Sequence, residues 1–119
     1  MSALKNDQSK PDLSLNPRIA LEEMAHAFML GEKKYGRYNY CKGMEASRLT
    51  AAAIRHITTW FDGEDLDPET GHSHLGNALA CLAMILRQKE LGTLKDNRFI
   101  QEQPKQLYNI LLTSDGDSI

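Results

Sequence analysis

The sequence predicts an all-α fold, a small antiparallel helical bundle of about three main helices with a short C-terminal helix. Apolar residues recur at three- and four-residue spacing in separate segments, each bounded by residues that start or stop helices. No segment alternates polar and apolar residues over a convincing strand length, and there is no internal repeat or low-complexity block. At 119 residues the chain suits one domain rather than two.

Residues 1–15 are polar and without periodicity, which reads as a flexible N-terminal arm. Order is expected from Asn16, which can cap a helix whose first position is Pro17. Glu22 and Glu23 would sit near its positive end, Leu21, Met24, Ala25 and Phe28 would form its apolar face, and Gly31 would end it. A second helix is expected from about Ala46 to Phe61, with Leu49, Ala53, His56 and Trp60 on one stripe, Ile54, Ile57 and Phe61 beside it, and Asp62-Gly63 as the stop. The acidic stretch 62-DGEDLDPETGHS-73 has loop chemistry. A third helix follows from about His74 to Leu91, ending at Gly92, with Leu75, Leu79, Leu82 and Leu86 marking its core side. After a charged link, Pro104 opens a short last helix using Leu107, Ile110 and Leu111. The helical domain is thus expected over 16–112, with 113–119 as a disordered tail.

The chain is 41% hydrophobic and 25% charged, the balance of a soluble globular protein, yet one this small buries only about two-thirds of its unfolded surface. A homo-oligomer would relieve that shortage. A net charge of −2 gives no global attraction to a nucleic acid polymer or an anionic membrane, so electrostatic recognition must be local. No apolar run has transmembrane length, the first residues lack a secretory core, and Cys41 and Cys81 form no C-x-x-C pair. These features point to the cytoplasm.

Two opposed loops carry the candidate chemistry. In 31-GEKKYGRYNYCKGM-44, Lys33, Lys34, Arg37 and Lys42 face one acid, Glu32, while Gly31, Gly36 and Gly43 let backbone N–H groups approach an anion closely. Phosphate is the natural guest. Tyr35, Tyr38 and Tyr40 add faces that stack on a base and hydroxyls that bond a ribose or phosphate. The alternative is a solvated basic connection whose tyrosines cover the end of the bundle, since the segment is not the P-loop pattern.

In the acidic loop Glu64, Asp67 and Glu69 offer hard oxygen ligands suited to Mg²⁺, with Mn²⁺ as substitute, though such acids also serve as a solvated turn. If the second and third helices form a hairpin about this loop, His72, His74, Arg55 and His56 draw together near it. His56 on an apolar stripe also fits a hydrogen-bonded core histidine, and a zinc site from His72, His74 and Cys81 is a weak alternative.

Together 31-GEKKYGRYNYCKGM-44, 53-AIRH-56, 60-WFDGEDLDPETG-71 and 74-HL-75 resemble a phage-borne domain family, that of the N-terminal domain of dATP/dGTP diphosphohydrolase. The resemblance spans roughly residues 18–91. It implies a bacteriophage protein that acts on or binds purine nucleotides in the infected host cell. Matching positions are Lys33, Lys34, Tyr35, Gly36, Asn39, Gly43, Arg55, His56, Gly63, Glu64, Asp67, Glu69, Gly71 and His74.

Two readings use the loops fully. In a metal-dependent nucleoside triphosphate pyrophosphohydrolase, Glu64, Asp67 and Glu69 hold Mg²⁺ and His56 or His74 orients or deprotonates a water. Lys33, Lys34, Arg37 and Arg55 then neutralise the phosphates. In a non-catalytic sponge, the same basic and aromatic groups sequester a cyclic nucleotide signal of host antiphage defence. A protein–protein adaptor module is a third reading, which leaves the opposed loops unexplained.

Overall fold

The computed structural model describes residues 2–100. The expected helix from Pro104 and the tail 113–119 lie outside the described residues. The main elements are α1 (Arg18–Tyr35), α2 (Ala46–Phe61) and α3 (His74–Leu91), with short 3-10 turns at Leu13–Leu15 and Asn39–Lys42. Among the described residues β pairing is confined to isolated bridges, Glu45 with Lys95 and Leu66 with Ser73. The fold is an all-helical bundle.

α2 and α3 begin and end where their periodicity and boundary residues place them. Ser73 caps α3 by accepting from the Gly76 N–H at 3.0 Å, and Gly92 closes it in the left-handed conformation, φ 75°. α1 departs from expectation at both ends. Pro17 occupies the cap position with no side-chain cap, while the Asn16 N–H closes the preceding 3-10 turn on the Leu13 carbonyl. Glu22 and Glu23 therefore lie beyond the first turn, and Glu22 instead pairs with Arg18 at 2.6 Å. At the other end the helix runs through Gly31 and stops at Gly36, φ 92°. One interior glycine costs about 1 kcal/mol of helix propensity and does not stop a helix that continues to bond on its far side. The real break needs a backbone that leaves helical space, which Gly36 and the left-handed Tyr38, φ 63°, provide.

α3 is the central helix. It packs on α2 as an antiparallel hairpin and on α1, while α1 and α2 share no extensive contact. The buried apolar residues are mostly small: Ala46, Leu49 and Ala53 of α2 and Ala78, Ala80 and Cys81 of α3. Small side chains let helix axes approach closely, and Gly76 takes this furthest. A Cβ there would lie 2.6 Å from the Glu23 carbonyl oxygen of α1, so only glycine fits the crossing. The leucines expected to mark the core side of α3 are a correction: Leu75, Leu82 and Leu86 are exposed, Leu86 by 68%. Since the alanine and cysteine stripe makes the interhelical contact, the bulkier leucines are left outside it, as are Ile54, Ile57, Trp60 and Phe61 of α2.

The start of α2 is held from a distance. Glu45 provides no side-chain cap; instead Ala46 N–H donates to the Lys95 carbonyl at 2.9 Å and Ser47 N–H to Asn97 Oδ1 at 3.0 Å. Asn97 Nδ2 also donates to Ser47 Oγ at 2.7 Å. The chain after α3 thus supplies partners for the free N–H groups of α2. Beside it Gln88 is wholly buried, and its Oε1 accepts from the Met44 N–H at 2.7 Å. Gly43 lies so close to the Thr93 carbonyl that no Cβ fits between them. These contacts fix the residues between α1 and α2 against the end of α3.

Candidate functional site

Because α1 and α2 flank α3 without closing on each other, a cleft of ≈ 510 Å³ opens between them with α3 as its floor. α1 contributes Ala27, Leu30, Gly31, Lys34 and Tyr35, and α2 contributes Leu49, Ala52, Arg55 and His56. Asn77, Ala80, Cys81 and Met84 form the floor, and Asp67, Glu69 and Thr70 of the acidic loop close one end. Opposed cations and carboxylates therefore border one cavity with an apolar base. Burial raises the pKa of the Cys81 thiol in that floor, which Arg55 only partly offsets, so the sulfur is a packing group rather than a thiolate.

Behind the cleft a hydrogen-bonded chain runs from Glu64 through His74 to His56. His74, only 5% exposed, lies 2.8 Å from Glu64 Oε1 through Nε2 and 2.9 Å from His56 Nδ1 through its own Nδ1. The carboxylate only accepts, so His74 donates from Nε2; its Nδ1 accepts from His56 in one proton arrangement of the pair and donates to His56 in the other. In the first arrangement His56 donates from Nδ1 and its Nε2 carries the lone pair. Burial lowers the His56 pKa, helped by repulsion from His74 and Arg55 and opposed by Asp67. The lowered pKa favours a neutral His56 at the border of the cleft, and the arrangement in which Nδ1 donates to His74 is the one that frees its Nε2 as a base.

The helix hairpin builds this chain. The Glu64 N–H bonds the Thr59 carbonyl at 3.2 Å as α2 ends, and the His74 N–H bonds the Asp65 carbonyl at 3.1 Å as α3 begins. Between them the Asp67 N–H donates to the His72 carbonyl at 2.8 Å and the Gly71 N–H to the Asp67 carbonyl at 2.7 Å, making a compact turn. Asp67 Oδ1 also accepts from the Glu69 N–H at 2.9 Å. Among the described residues no three His, Cys, Asp or Glu side chains converge as a ready metal cage. Both ring nitrogens of His74, one of the three residues of the zinc alternative, are engaged by Glu64 and His56.

A second cavity of ≈ 370 Å³ adjoins the first and shares Ala27, Gly31, Tyr35 and Met84 with it. Phe28, Gly36, Asn39, Tyr40, Met44 and Arg48 complete its lining. Phe28 and Tyr40 pack with ring centroids 5.4 Å apart, and burial, then Cys41, pushes the Tyr40 hydroxyl pKa up.

A sequence profile described as dATP/dGTP diphosphohydrolase, N-terminal, matches residues 2–98. The chain belongs to this family. It is 41% identical over 86 residues to a dATP/dGTP diphosphohydrolase of Salmonella phage PMBT28, a match that covers 71% of this chain and 29% of that relative. The chain therefore spans less than a third of the relative's length. No solved structure matches.

In this family member, sequence-predicted Lys34, Tyr35, Arg55, His56, Asp67 and Glu69 come together around the cleft. Gly36, Asn39 and Tyr40 line the adjoining cavity. Lys33 turns with Lys34 into a side groove lined also by Glu69, Thr70 and His72. Arg37 stands apart, its guanidinium 3.1 Å from Glu32, which raises its pKa, and 6.0 Å from the ring of the exposed Tyr38. Lys42 ends the second 3-10 turn, exposed and outside the cleft. His74 and Glu64 lie behind His56 rather than in the cleft lining. Leu30 and Met84 in the lining escaped the sequence reading. Extending the α1 period past Gly31 would have placed Ala27, Leu30 and Lys34 on one face.

Proposed function

We propose that the chain binds a purine deoxynucleoside triphosphate by its phosphates in the cleft and hydrolyses it to the monophosphate and pyrophosphate, within a bacteriophage-infected cell. The reading is supported above all by one juxtaposition: Lys34 and Arg55 border the same cleft as His56, whose ring is neutral and backed by His74 and Glu64. Lys34 and Arg55 are the anion-binding groups, and His56 Nε2 accepts the proton of a water as its oxygen bonds the α-phosphorus. Pyrophosphate then leaves with the electron pair of the broken P–O bond. The charge gained by His56 is shared through its hydrogen bond to His74 and on to Glu64, which act as positioning residues.

Mg²⁺, with Mn²⁺ as substitute, fits this site. Asp67 and Glu69 both border the cleft, and Mg²⁺ characteristically takes one or two carboxylates together with substrate phosphates. Bound there, it would neutralise charge on the phosphate oxygens. Glu64, engaged by His74, belongs to the histidine chain in this reading.

The experiment incubates the protein with dATP, dGTP and a cyclic dinucleotide, with and without Mg²⁺, and follows released and retained species by chromatography. Mg²⁺-dependent pyrophosphate release that is lost in His56→Gln supports the reading. Intact nucleotide recovered after heat denaturation supports sequestration instead, and neither outcome with any ligand overturns nucleotide recognition altogether.

A further inference from the structure

Gly31 is out of place by every local rule. It sits inside α1, where glycine is the least favourable residue after proline, yet its φ is not positive. A Cβ there would meet nothing within 4 Å, so unlike Gly76 it is not demanded by a neighbouring backbone either. The space its missing side chain leaves open is the junction of the two cavities, both of which it lines. Glycine in such a place allows a ligand to pass close over the helix backbone.

We infer that the ≈ 370 Å³ cavity is the base subsite of the nucleotide, with the sugar crossing over Gly31 into the phosphate cleft. This rests on the proposed function and adds which part of the chain reads the base. Phe28, Tyr40, Met44 and Met84 give the cavity apolar and aromatic faces suited to a flat heterocycle. Asn39 contributes an amide with both donor and acceptor, the side chain that pairs in two places with the N6/N7 edge of adenine. The wall is already built, since Gln88 fixes the Met44 backbone and Gly43 abuts Thr93. The aromatic part of the basic loop thus recognises the base, and the phosphates fall to Lys34 and Arg55 from neighbouring helices.

Calorimetric titration with the non-hydrolysable α,β-methylene analogues of dGTP, dATP and dTTP, named below by the parent nucleotide, and with inorganic tripolyphosphate, all with Mg²⁺, tests the inference on the wild-type chain, Gly31→Leu and Asn39→Ala. Leucine at 31 favours the helix and fills the junction, so dGTP affinity is expected to fall at least about tenfold while tripolyphosphate affinity stays within about twofold. Asn39→Ala is expected to reduce the preference for dATP over dTTP by roughly tenfold. The Asn39 variant carries the test alone should Gly31→Leu fail to fold. Equal dGTP affinity in wild type and Gly31→Leu, or unchanged preference in Asn39→Ala, overturns the base subsite. So does loss of tripolyphosphate binding in Gly31→Leu, because the junction would then belong to the phosphates. A wild-type chain that binds tripolyphosphate but not dGTP overturns this inference and leaves the cleft as a phosphate site. One that binds none of these ligands removes the proposed function beneath it.

Discussion

His56 Nδ1 and His74 Nδ1 stand 2.9 Å apart, so a histidine bordering the cleft is oriented by one sealed behind it, which is itself held by Glu64 at 2.8 Å. Outer partners of this kind fix a tautomer and a ring orientation without touching substrate. His56→Gln is expected to lower kcat by about 10²- to 10⁴-fold while tripolyphosphate still binds. Glu64→Ala should lower kcat by about 10- to 100-fold with KM little changed, taking the loss typical of outer-partner mutations as a guide. Glu64→Gln keeps an acceptor for His74 without the charge, so it should restore most of the rate and move the acid limb of the pH–rate profile to lower pH. An unmoved acid limb would mean that Glu64 is not electrostatically linked to the base.

The depressed pKa of His56 also makes stability depend on pH. Burial is the main cause, followed by His74 and Arg55, with Asp67 opposing. Between the folded value and the ordinary 6.5, the unfolded chain binds more protons than the folded one, so unfolding free energy rises with pH across that window. The full contribution is present above 6.5 and is lost on acidification towards the folded value. Urea midpoints from about pH 5 to about pH 8 should therefore decline on the acid side, and decline less in His56→Gln. Parallel curves for the two proteins would contradict the assignment.

Two glycines separate close packing from open space. Gly76→Ala brings a methyl carbon to within 2.6 Å of the Glu23 carbonyl and should destabilise by about 1–3 kcal/mol as α1 is pushed off α3. Gly31→Ala meets nothing within 4 Å and should stabilise by about 0.5–1 kcal/mol through helix propensity. Thermal melts of the two variants are expected to move in opposite directions. A shared direction would refute one of the two environments.

The helices of the hairpin were legible because their periodicity coincides with clear boundary residues: Ser73 and Gly92 around α3, Asp62-Gly63 after α2. Which stripe of α3 faces inward was not. Leucine outranks alanine as a hydrophobe, but the Gly76 crossing and the alanine stripe bring the helices too close for leucines between them. The site residues were legible as types, and the hairpin argument brought His56 and His74 together. Their order was not, because two histidines look alike until burial makes one of them a support for the other. Asn97 was illegible, since a cap supplied from 50 residues away leaves no local signature.

Asn97 carries a measurable part of the stability of α2. Its side chain accepts from the Ser47 N–H and donates to Ser47 Oγ, and Glu45 supplies no cap of its own. Asn97→Ala should cost about 1 kcal/mol, and Asn97→Asp should recover part of it because an acid favours a helix N-terminus. The urea midpoint reads both. An unchanged midpoint in Asn97→Ala would mean that the Asn97 side chain adds nothing to α2.

The exposed leucines of α3 bear on the homo-oligomer, which remains a proposal. Leu75, Leu79, Leu82 and Leu86 follow a four-three-four spacing, the seam of helices that pack side by side. Leu75, Leu82 and Leu86 are uncovered, as are Ile54, Ile57 and Phe61 of α2. A second copy is the occupant that fits, because a two-helix hairpin with one bare apolar face completes a four-helix bundle when it meets its own like. The wild-type chain is then expected to sediment as a dimer at micromolar concentration, with a thermal midpoint that rises with concentration. Leu82→Glu with Leu86→Glu should give a folded monomer whose midpoint no longer depends on concentration. A wild-type chain that sediments as a monomer at every concentration tested would leave that face to a different partner and remove the second copy from the proposal.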